Sequence, residues 1–296
     1  MRKYIGEIML ITTAIIWGSG FVMSALSLDY LSPYQVLAAR FLIGVIILSI
    51  VFHKRLRKIK KSTILKGTVL GLFLYLAFAL QTVGLQYTTA SKNAFITAVN
   101  VVIVPFIAFF MYKRRIDIYE LTGAFLAIIG IACLSLQFSS GVNIGDLLTL
   151  ACAFGFAYQI FYTAKYVKDE DPILLTVVQM AVAAILGWAV VILKGDTNFS
   201  FEMEGVLSTL YLGVFSTTLA YCLQTIAQKF TNETKTAIIL STEAFWGMVF
   251  SVLFLGELLT PRMAIGAIVI LGAIIISETK LSFIRKKETK EEHNVL

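Results

Sequence analysis

The stretch QTVGLQYTTASKNAFITAVN at residues 81–100 decides the fold, because QTIAQKFTNETKTAIILSTE at residues 224–243 repeats it 143 positions later. The matched pairs are Gln81-Thr82 with Gln224-Thr225, Lys92 with Lys235, and Asn100 with Glu243. This predicts one structural unit written twice in the chain.

The match extends outward from this stretch in both directions. At a spacing of 139, Gly6-Glu7 corresponds to Gly145-Asp146, Pro33 to Pro172 and Arg40 to Gln179, and at a spacing of 143 Gly123 corresponds to Gly266. The change in spacing requires a small insertion, which we place in the loop around residues 194–204. We therefore predict a first repeat over residues 1–137, a second over 143–281, and a charged cytoplasmic tail over 282–296.

Each repeat contains five apolar segments, and each segment is near the ~20 residues that a helix needs to cross a bilayer. The ten predicted spans cover residues 5–26, 34–52, 64–86, 91–112, 119–137, 145–165, 172–193, 204–227, 236–255 and 263–281. The predicted fold is an all-α polytopic membrane protein with ten transmembrane helices. Because five is odd, the second repeat crosses the membrane in the opposite direction, as in the inverted repeats of secondary transporters.

Composition and charge agree with a membrane protein. The chain is 58% hydrophobic with a mean hydropathy of +0.84 and 15% charged residues, whereas a soluble domain has about 25%. Of its 25 Lys and Arg residues, 21 fall on one side of the predicted topology and three on the other, with Arg40 inside a span. This asymmetry places both termini in the cytoplasm. The net charge of +7 thus needs no nucleic acid, and lipid is the expected surrounding.

Polar residues deep in the spans are the candidates for function, since an ionisable group in hydrocarbon normally faces a cavity or a partner. Glu243 lies near the middle of span 9, and Asn100 takes the matched position in span 4. Glu243 could bind substrate, relay protons, or serve as a structural carboxyl. Arg40 in span 2 could bind an anionic substrate group, pair with Glu243, or extend to the interface.

Two further groups of residues could line a substrate path. Gln81 and Gln224 recur at matched positions and could either line the path or hydrogen-bond between helices. The second group is a stretch of small and aromatic residues in span 1, Trp17-Gly18-Ser19-Gly20-Phe21. Its counterpart in span 6 is Phe156-Ala157-Tyr158-Gln159-Ile160. Such a stretch could be a loosened helix beside aromatic rings or a site of close packing. From these stretches we take Trp17, Ser19 and Tyr158 as cavity candidates.

Other sequence features argue against an enzyme. His53 and His293 lie outside the spans, no two aspartates lie at depth, and no phosphate-binding loop is present. We expect no cofactor and no metal. The acidic run Asp169-Glu170-Asp171 is expected to be a solvated turn, and Glu257 a structural residue at the outer end of span 9. A polytopic enzyme, a channel and a sensor subunit remain the alternatives to a transporter.

An ordered set of short motifs resembles the EamA-like branch of the drug/metabolite transporter superfamily. The set comprises the Trp17-Gly18-Ser19-Gly20-Phe21 stretch, Thr242-Glu243-Ala244-Phe245, Leu255-Gly256-Glu257-Leu258-Leu259-Thr260 and Gly266-Ala267. The resemblance covers nearly the whole chain. It implies a cytoplasmic-membrane exporter of amino acids, metabolites or drugs, with a central cavity lined by both halves. Ala244 departs from the family pattern, which often has proline there, so the resemblance implies a straighter helix in span 9.

Overall fold

A computed structural model describes residues 4–113, 115–137, 141–231, 236 and 239–280. Arg2, Lys3, Ser140, Lys235, His293 and the predicted tail lie outside the described residues. Five spans are single helices: Ile5–Leu28 (span 1), Pro33–Val51 (span 2), Lys61–Leu85 (span 3), Ile144–Tyr166 (span 6) and Pro172–Leu193 (span 7). Spans 5 and 10 are the helices Ile118–Ser135 and Pro261–Thr279.

The remaining three spans are interrupted. Span 4 consists of the helices Ala90–Ala98 and Asn100–Tyr112. Span 8 consists of the α-helix Met203–Tyr211, the π-helix Leu212–Leu219 and the α-helix Ala220–Ala227. Span 9 ends in the helix Glu243–Leu255. A short helix, His53–Leu56, follows span 2. Between spans 5 and 6, the two-residue strands β1 (Leu136–Gln137) and β2 (Gly141–Val142) pair antiparallel.

The predicted fold class is confirmed. Seven helices in the described part of the chain are long and apolar enough to cross a membrane, and three shorter apolar helices, Ile118–Cys133, Ile239–Leu255 and Pro261–Ser277, correspond to spans 5, 9 and 10. Helices suit the hydrocarbon core because they satisfy their backbone hydrogen bonds internally. The small β-hairpin was not predicted from the sequence.

Spans 2 and 7 begin with the same chemistry at matched positions. Ser32 caps span 2 by accepting the amide of Gln35 at 3.2 Å, and Pro33 is the first helical residue. Asp171 caps span 7 by accepting the amide of Ile173 at 2.8 Å, and Pro172 follows it. In both spans a side-chain oxygen satisfies a free N–H group, and proline stands where no N–H is needed.

The helix interruptions of spans 4 and 9 also fall at matched positions, Val99 and Thr242. At each, the backbone N–H donates to a carbonyl only three residues back, that of Ile96 and that of Ile239, both at 3.2 Å. The helix then restarts at Asn100 and at Glu243. The expectation of a straighter span 9, based on Ala244, stays a prediction; the turn seen here lies just before Glu243, at a position without proline.

The glycines of span 1 serve close packing. Span 1 is one continuous helix, so the alternative of a loosened helix is wrong. A Cβ at Gly18 would lie 2.4 Å from the Cβ of Trp246, so only glycine lets spans 1 and 9 approach this closely. Gly67 and Gly71 similarly bring span 3 against Val178 and Val182 of span 7, as small residues do in membrane helices.

Candidate functional site

A cavity with about 480 Å³ of empty space, part of it open to solvent, lies among spans 1, 2, 3, 4, 6, 8 and 9. Both repeats contribute to its wall. Its lining consists of aromatic rings, hydroxyl and amide groups, one guanidinium and one carboxyl: Trp17, Gly20, Phe21, Ser24, Arg40, Phe78, Gln81, Thr97, Asn100, Phe156, Gln159, Ile160, Ser216, Tyr221 and Glu243.

The structure brings five of the eight candidates together around this cavity: Trp17, Arg40, Gln81, Asn100 and Glu243. The other three lie elsewhere. Ser19 bonds the hydroxyl of Tyr211 at 2.7 Å, Tyr158 stacks on Phe73 with ring centroids 5.1 Å apart, and Gln224 is fully buried one turn beyond Tyr221. These three belong to the helix packing around the cavity.

Arg40 is 2% exposed and reaches the cavity from span 2. Its Nε donates to Thr217 Oγ1 at 2.8 Å and one Nη donates to Ser216 Oγ at 3.2 Å. The guanidinium lies over the ring of Phe78, 4.4 Å from the centroid, which is a cation–π contact. Among the described residues no carboxylate lies within ion-pair distance of it, so pairing with Glu243 is not formed here.

Glu243 and Asn100 line the same cavity from spans 9 and 4. These spans approach closely, because a Cβ at Gly247 would lie 2.7 Å from the Cβ of Ala94. The Oδ1 atom of Asn100 is buried and accepts no hydrogen bond in the described structure. A buried acceptor without a donor costs free energy, so this atom is suited to a ligand N–H group.

The π-helix Leu212–Leu219 forms the part of the cavity wall that contacts Arg40. The hydroxyl of Thr218 donates to the carbonyl of Gly213, five residues back, at 2.7 Å. The carbonyl of Ser216 accepts the indole N–H of Trp17 at 3.1 Å, while the hydroxyls of Ser216 and Thr217 accept from Arg40. π-Helical turns are frequent at functional sites because they redirect side chains and free carbonyl groups.

Sequence reasoning missed several lining residues. Phe78 and Tyr221 are apolar or aromatic residues within apolar spans, and Ser216 is one hydroxyl among many, so nothing in the local sequence marks them. Gln159 and Phe156 do lie in the predicted span-6 counterpart of the Trp17 stretch, although the candidate predicted from that stretch is Tyr158. Gln159 donates to Gln179 Oε1 at 3.0 Å, and thereby links the cavity to the residue matched with Arg40.

Of two acidic sites outside the cavity, the Asp169–Asp171 segment differs from expectation and Glu257 has the structural role expected of it. The Asp169–Asp171 segment is not simply a solvated turn, since Glu170 is buried and accepts hydrogen bonds from Thr63 at 2.6 Å and Lys66 at 2.9 Å. These bonds, that from Lys66 first, lower the pKa of Glu170 to about 2. Glu257 accepts the backbone N–H of Ala90 at 2.8 Å and so caps the start of span 4.

Comparison with known families now decides what kind of protein surrounds this cavity. The EamA-like transporter family matches residues 4–136 and again residues 143–279, one match in each repeat. The chain belongs to the EamA-like transporter family. It is therefore a multi-pass membrane transporter built from two EamA repeats and not an enzyme, and its cargo is a small molecule.

Individual relatives support this assignment over nearly the full chain. A transporter of Archaeoglobus fulgidus is 34% identical over 276 residues, covering 93% of this chain and 86% of the relative. A protein of Salmonella typhimurium named "probable amino-acid metabolite efflux pump" is 25% identical over 282 residues, covering 89% and 91%. A solved crystal structure shares the fold with a TM-score of 0.70 at 15% identity, over 93% of this chain and 98% of that one.

Proposed function

We propose that this EamA transporter exports small amphipathic metabolites, amino acids or related compounds, across the cytoplasmic membrane by alternating access. The observation that carries the proposal is the cavity between the two repeats, in which an unpaired guanidinium and a carboxyl face aromatic walls. Charged groups at this depth in a membrane protein mark a substrate or ion path. The name of the Salmonella typhimurium relative points to the same class of cargo.

The proposed mechanism depends on the inversion of the two repeats. Two similar units with opposite orientations can exchange conformations, which opens the shared cavity alternately to the two sides. We propose that both termini are cytoplasmic, as the distribution of Lys and Arg predicts. The loops that carry Asp29, Gln86, Asp196 and Glu257 then face outward, and export ends with opening toward them.

Polar contacts join the repeats at this predicted outer side. Lys92 of span 4 lies 3.7 Å from Asp146 of span 6, and the side chains are 11% and 1% exposed. Asp146 also accepts a hydrogen bond from Thr88. Glu257 of span 9 binds the backbone of span 4. These contacts must separate when the cavity opens toward the outside. They therefore support a transporter with distinct closed and open states, and not a permanently open pore.

A flux assay tests the proposal. Proteoliposomes containing the purified chain are loaded with a mixture of radiolabelled amino acids, and release is followed with and without external substrate. We expect saturable release, acceleration by substrate on the opposite side (counterflow), and dependence on an imposed pH gradient if Glu243 relays protons. Flux that rises linearly with concentration and shows no counterflow would instead indicate a channel.

A further inference from the structure

Three of the five N–H donors of Arg40 have no acceptor within the described part of the chain. A guanidinium carries five donors in a fixed planar fork, and Arg40 uses one on Thr217 and one on Ser216. Its face is covered by Phe78, so the remaining donors point along the plane. A carboxylate accepts two parallel hydrogen bonds from such a fork, and this residue type is therefore suited to a ligand carboxylate.

A carboxyl, that of Glu243, lines the same cavity. Glu243 is 6% exposed, lines the cavity, and forms neither a hydrogen bond nor an ion pair in the described structure. The orphaned acceptor Oδ1 of Asn100 lines the cavity with it. A carboxylate and an amide oxygen both accept from N–H groups, so this side of the cavity is suited to an ammonium group with its three donors.

Five aromatic side chains contribute to the same lining. The rings of Trp17 and Tyr221 have centroids 5.0 Å apart, and those of Phe78 and Phe156 lie 5.1 Å apart. Together with Phe21 they form the aromatic part of the lining. Such rings bind an apolar group by excluding water from it.

We infer that the cavity recognises a zwitterionic amino acid with an apolar side chain by two separate charge contacts: Arg40 binds the carboxylate, and Glu243 with Asn100 binds the ammonium group. This inference rests on the proposed function and names the residues that select its substrate. Recognition of both charges explains why Arg40 and Glu243 share one cavity without forming an ion pair. It also explains why the repeats have diverged at the two matched positions.

Three matched probes separate the two contacts. L-phenylalanine carries both charges, phenethylamine lacks the carboxylate, and 3-phenylpropionate lacks the ammonium group. Equilibrium binding of each probe is measured on the full chain in lipid nanodiscs. We expect L-phenylalanine to bind at least about 10-fold more tightly than either analogue, since a desolvated charge pair contributes that much or more.

Two substitutions then assign the contacts to residues. Arg40→Gln should weaken L-phenylalanine to the level of phenethylamine and leave phenethylamine within about twofold of its wild-type affinity, as a lost charge contact requires. Glu243→Gln should weaken L-phenylalanine to the level of 3-phenylpropionate and leave that probe unchanged. Arg40→Lys retains the charge without the fork and should give an intermediate affinity.

Arg57→Gln and Glu202→Gln, which change exposed residues outside the cavity, serve as matched controls and should leave all three affinities unchanged. Thermal unfolding and size-exclusion profiles establish that each variant is folded. Equal weakening of all three probes by Arg40→Gln or Glu243→Gln, or equal affinity of the wild type for the three probes, overturns the inference. The inference is also overturned if neither this set of probes nor the matched leucine set binds. The leucine set is L-leucine, isopentylamine and 4-methylpentanoate.

The flux assay keeps this inference distinct from the proposed function. Saturable counterflow of another metabolite, combined with no preference for zwitterionic probes, refutes the two-contact recognition and leaves the exporter intact. Absence of carrier-type flux for every metabolite tested refutes the exporter itself.

Discussion

The two repeats share a fold but contribute different chemistry at the same positions. The first repeat supplies Asn100 where the second supplies Glu243, and Arg40 where the second has Gln179. Asn100 and Glu243 each follow a tight turn in the helix and line the cavity. Arg40 lines it directly, whereas Gln179 is fully buried and reaches it only through Gln159.

This difference shows that backbone symmetry and side-chain symmetry have separate roles. The matched turns at Val99 and Thr242 and the matched caps at Ser32 and Asp171 preserve the shape on which an exchange of conformations depends. A cavity for an asymmetric molecule gains from unlike groups at its two ends. Charge has therefore diverged where backbone geometry has been retained.

The largest expected effect concerns the opposite orientation of the repeats. Lys58 and Thr197 occupy matched exposed positions, so in an inverted pair they face opposite sides. In a background without Cys133, Cys152 and Cys222, a cysteine at position 197 should react with an impermeant maleimide in intact cells. A cysteine at position 58 should react only after permeabilisation. Labelling of both positions from outside would refute the inversion.

The next effect compares the matched groups Glu243 and Asn100. Glu243→Gln removes a charge contact from a desolvated site, and transport should fall roughly 30-fold or more. Asn100→Ala removes the amide oxygen that we propose accepts from the ammonium group, a contact worth about 1.5 kcal/mol, so transport should fall roughly 10-fold. Initial rates of counterflow, normalised to the amount of protein in the membrane, measure both. Full transport by Glu243→Gln with the pH dependence of the wild type would exclude this carboxyl from the mechanism.

A smaller effect is expected at the predicted outer contact between spans 4 and 6. Asp146→Asn removes the charge that faces Lys92, which should favour opening at this side. A cysteine at Ser24, in the cavity wall, should then react several-fold faster with an impermeant reagent added from outside.

The double exchange of Lys92→Asp with Asp146→Lys restores opposite charges and should return the labelling rate toward that of the wild type. If labelling at position 24 is unaffected by Asp146→Asn, the Lys92–Asp146 contact does not control outer access.

The smallest effect concerns stability at the predicted inner side, where the second repeat contacts Thr63 and Lys66 of the first. Glu170→Gln removes charge-assisted hydrogen bonds, and should lower the apparent melting temperature at pH 7 by roughly 3–6 °C. Because folding lowers the pKa of Glu170 from 4.5 to about 2, this stabilisation is complete above the unfolded pKa. It is lost as pH falls from about 4.5 toward 2.

The difference in melting temperature between wild type and Glu170→Gln should therefore shrink over that acidic range. Asp169→Asn is the control, since the Asp169 side chain is 76% exposed and lies 3.8 Å from Lys66. A shift as large for Asp169→Asn would mean that net charge, and not the buried carboxylate, stabilises this end of the molecule.

Most of the architecture can be predicted from the sequence, because the features that indicate it are local in the chain. Twenty-residue apolar segments predict spans, and the spacing between Gln81 and Gln224 predicts a repeat, without any knowledge of packing. Rare polar residues at depth are also visible one at a time, and Arg40, Asn100 and Glu243 do line the cavity. The turn before Glu243 had no such signal, since Ala244 is an ordinary helix former.

The order of residues along the chain thus determines the number of spans, the division into two repeats and the presence of buried charged residues. Tertiary structure decided which side of each span faces the cavity, so Gln81 lines it while its counterpart Gln224 does not. It also decided the burial of Glu170 and the contacts of Arg40 with Ser216 and Thr217. The reason is physical: in lipid a span is apolar on every side, so its rotation is set only by packing against helices distant in sequence.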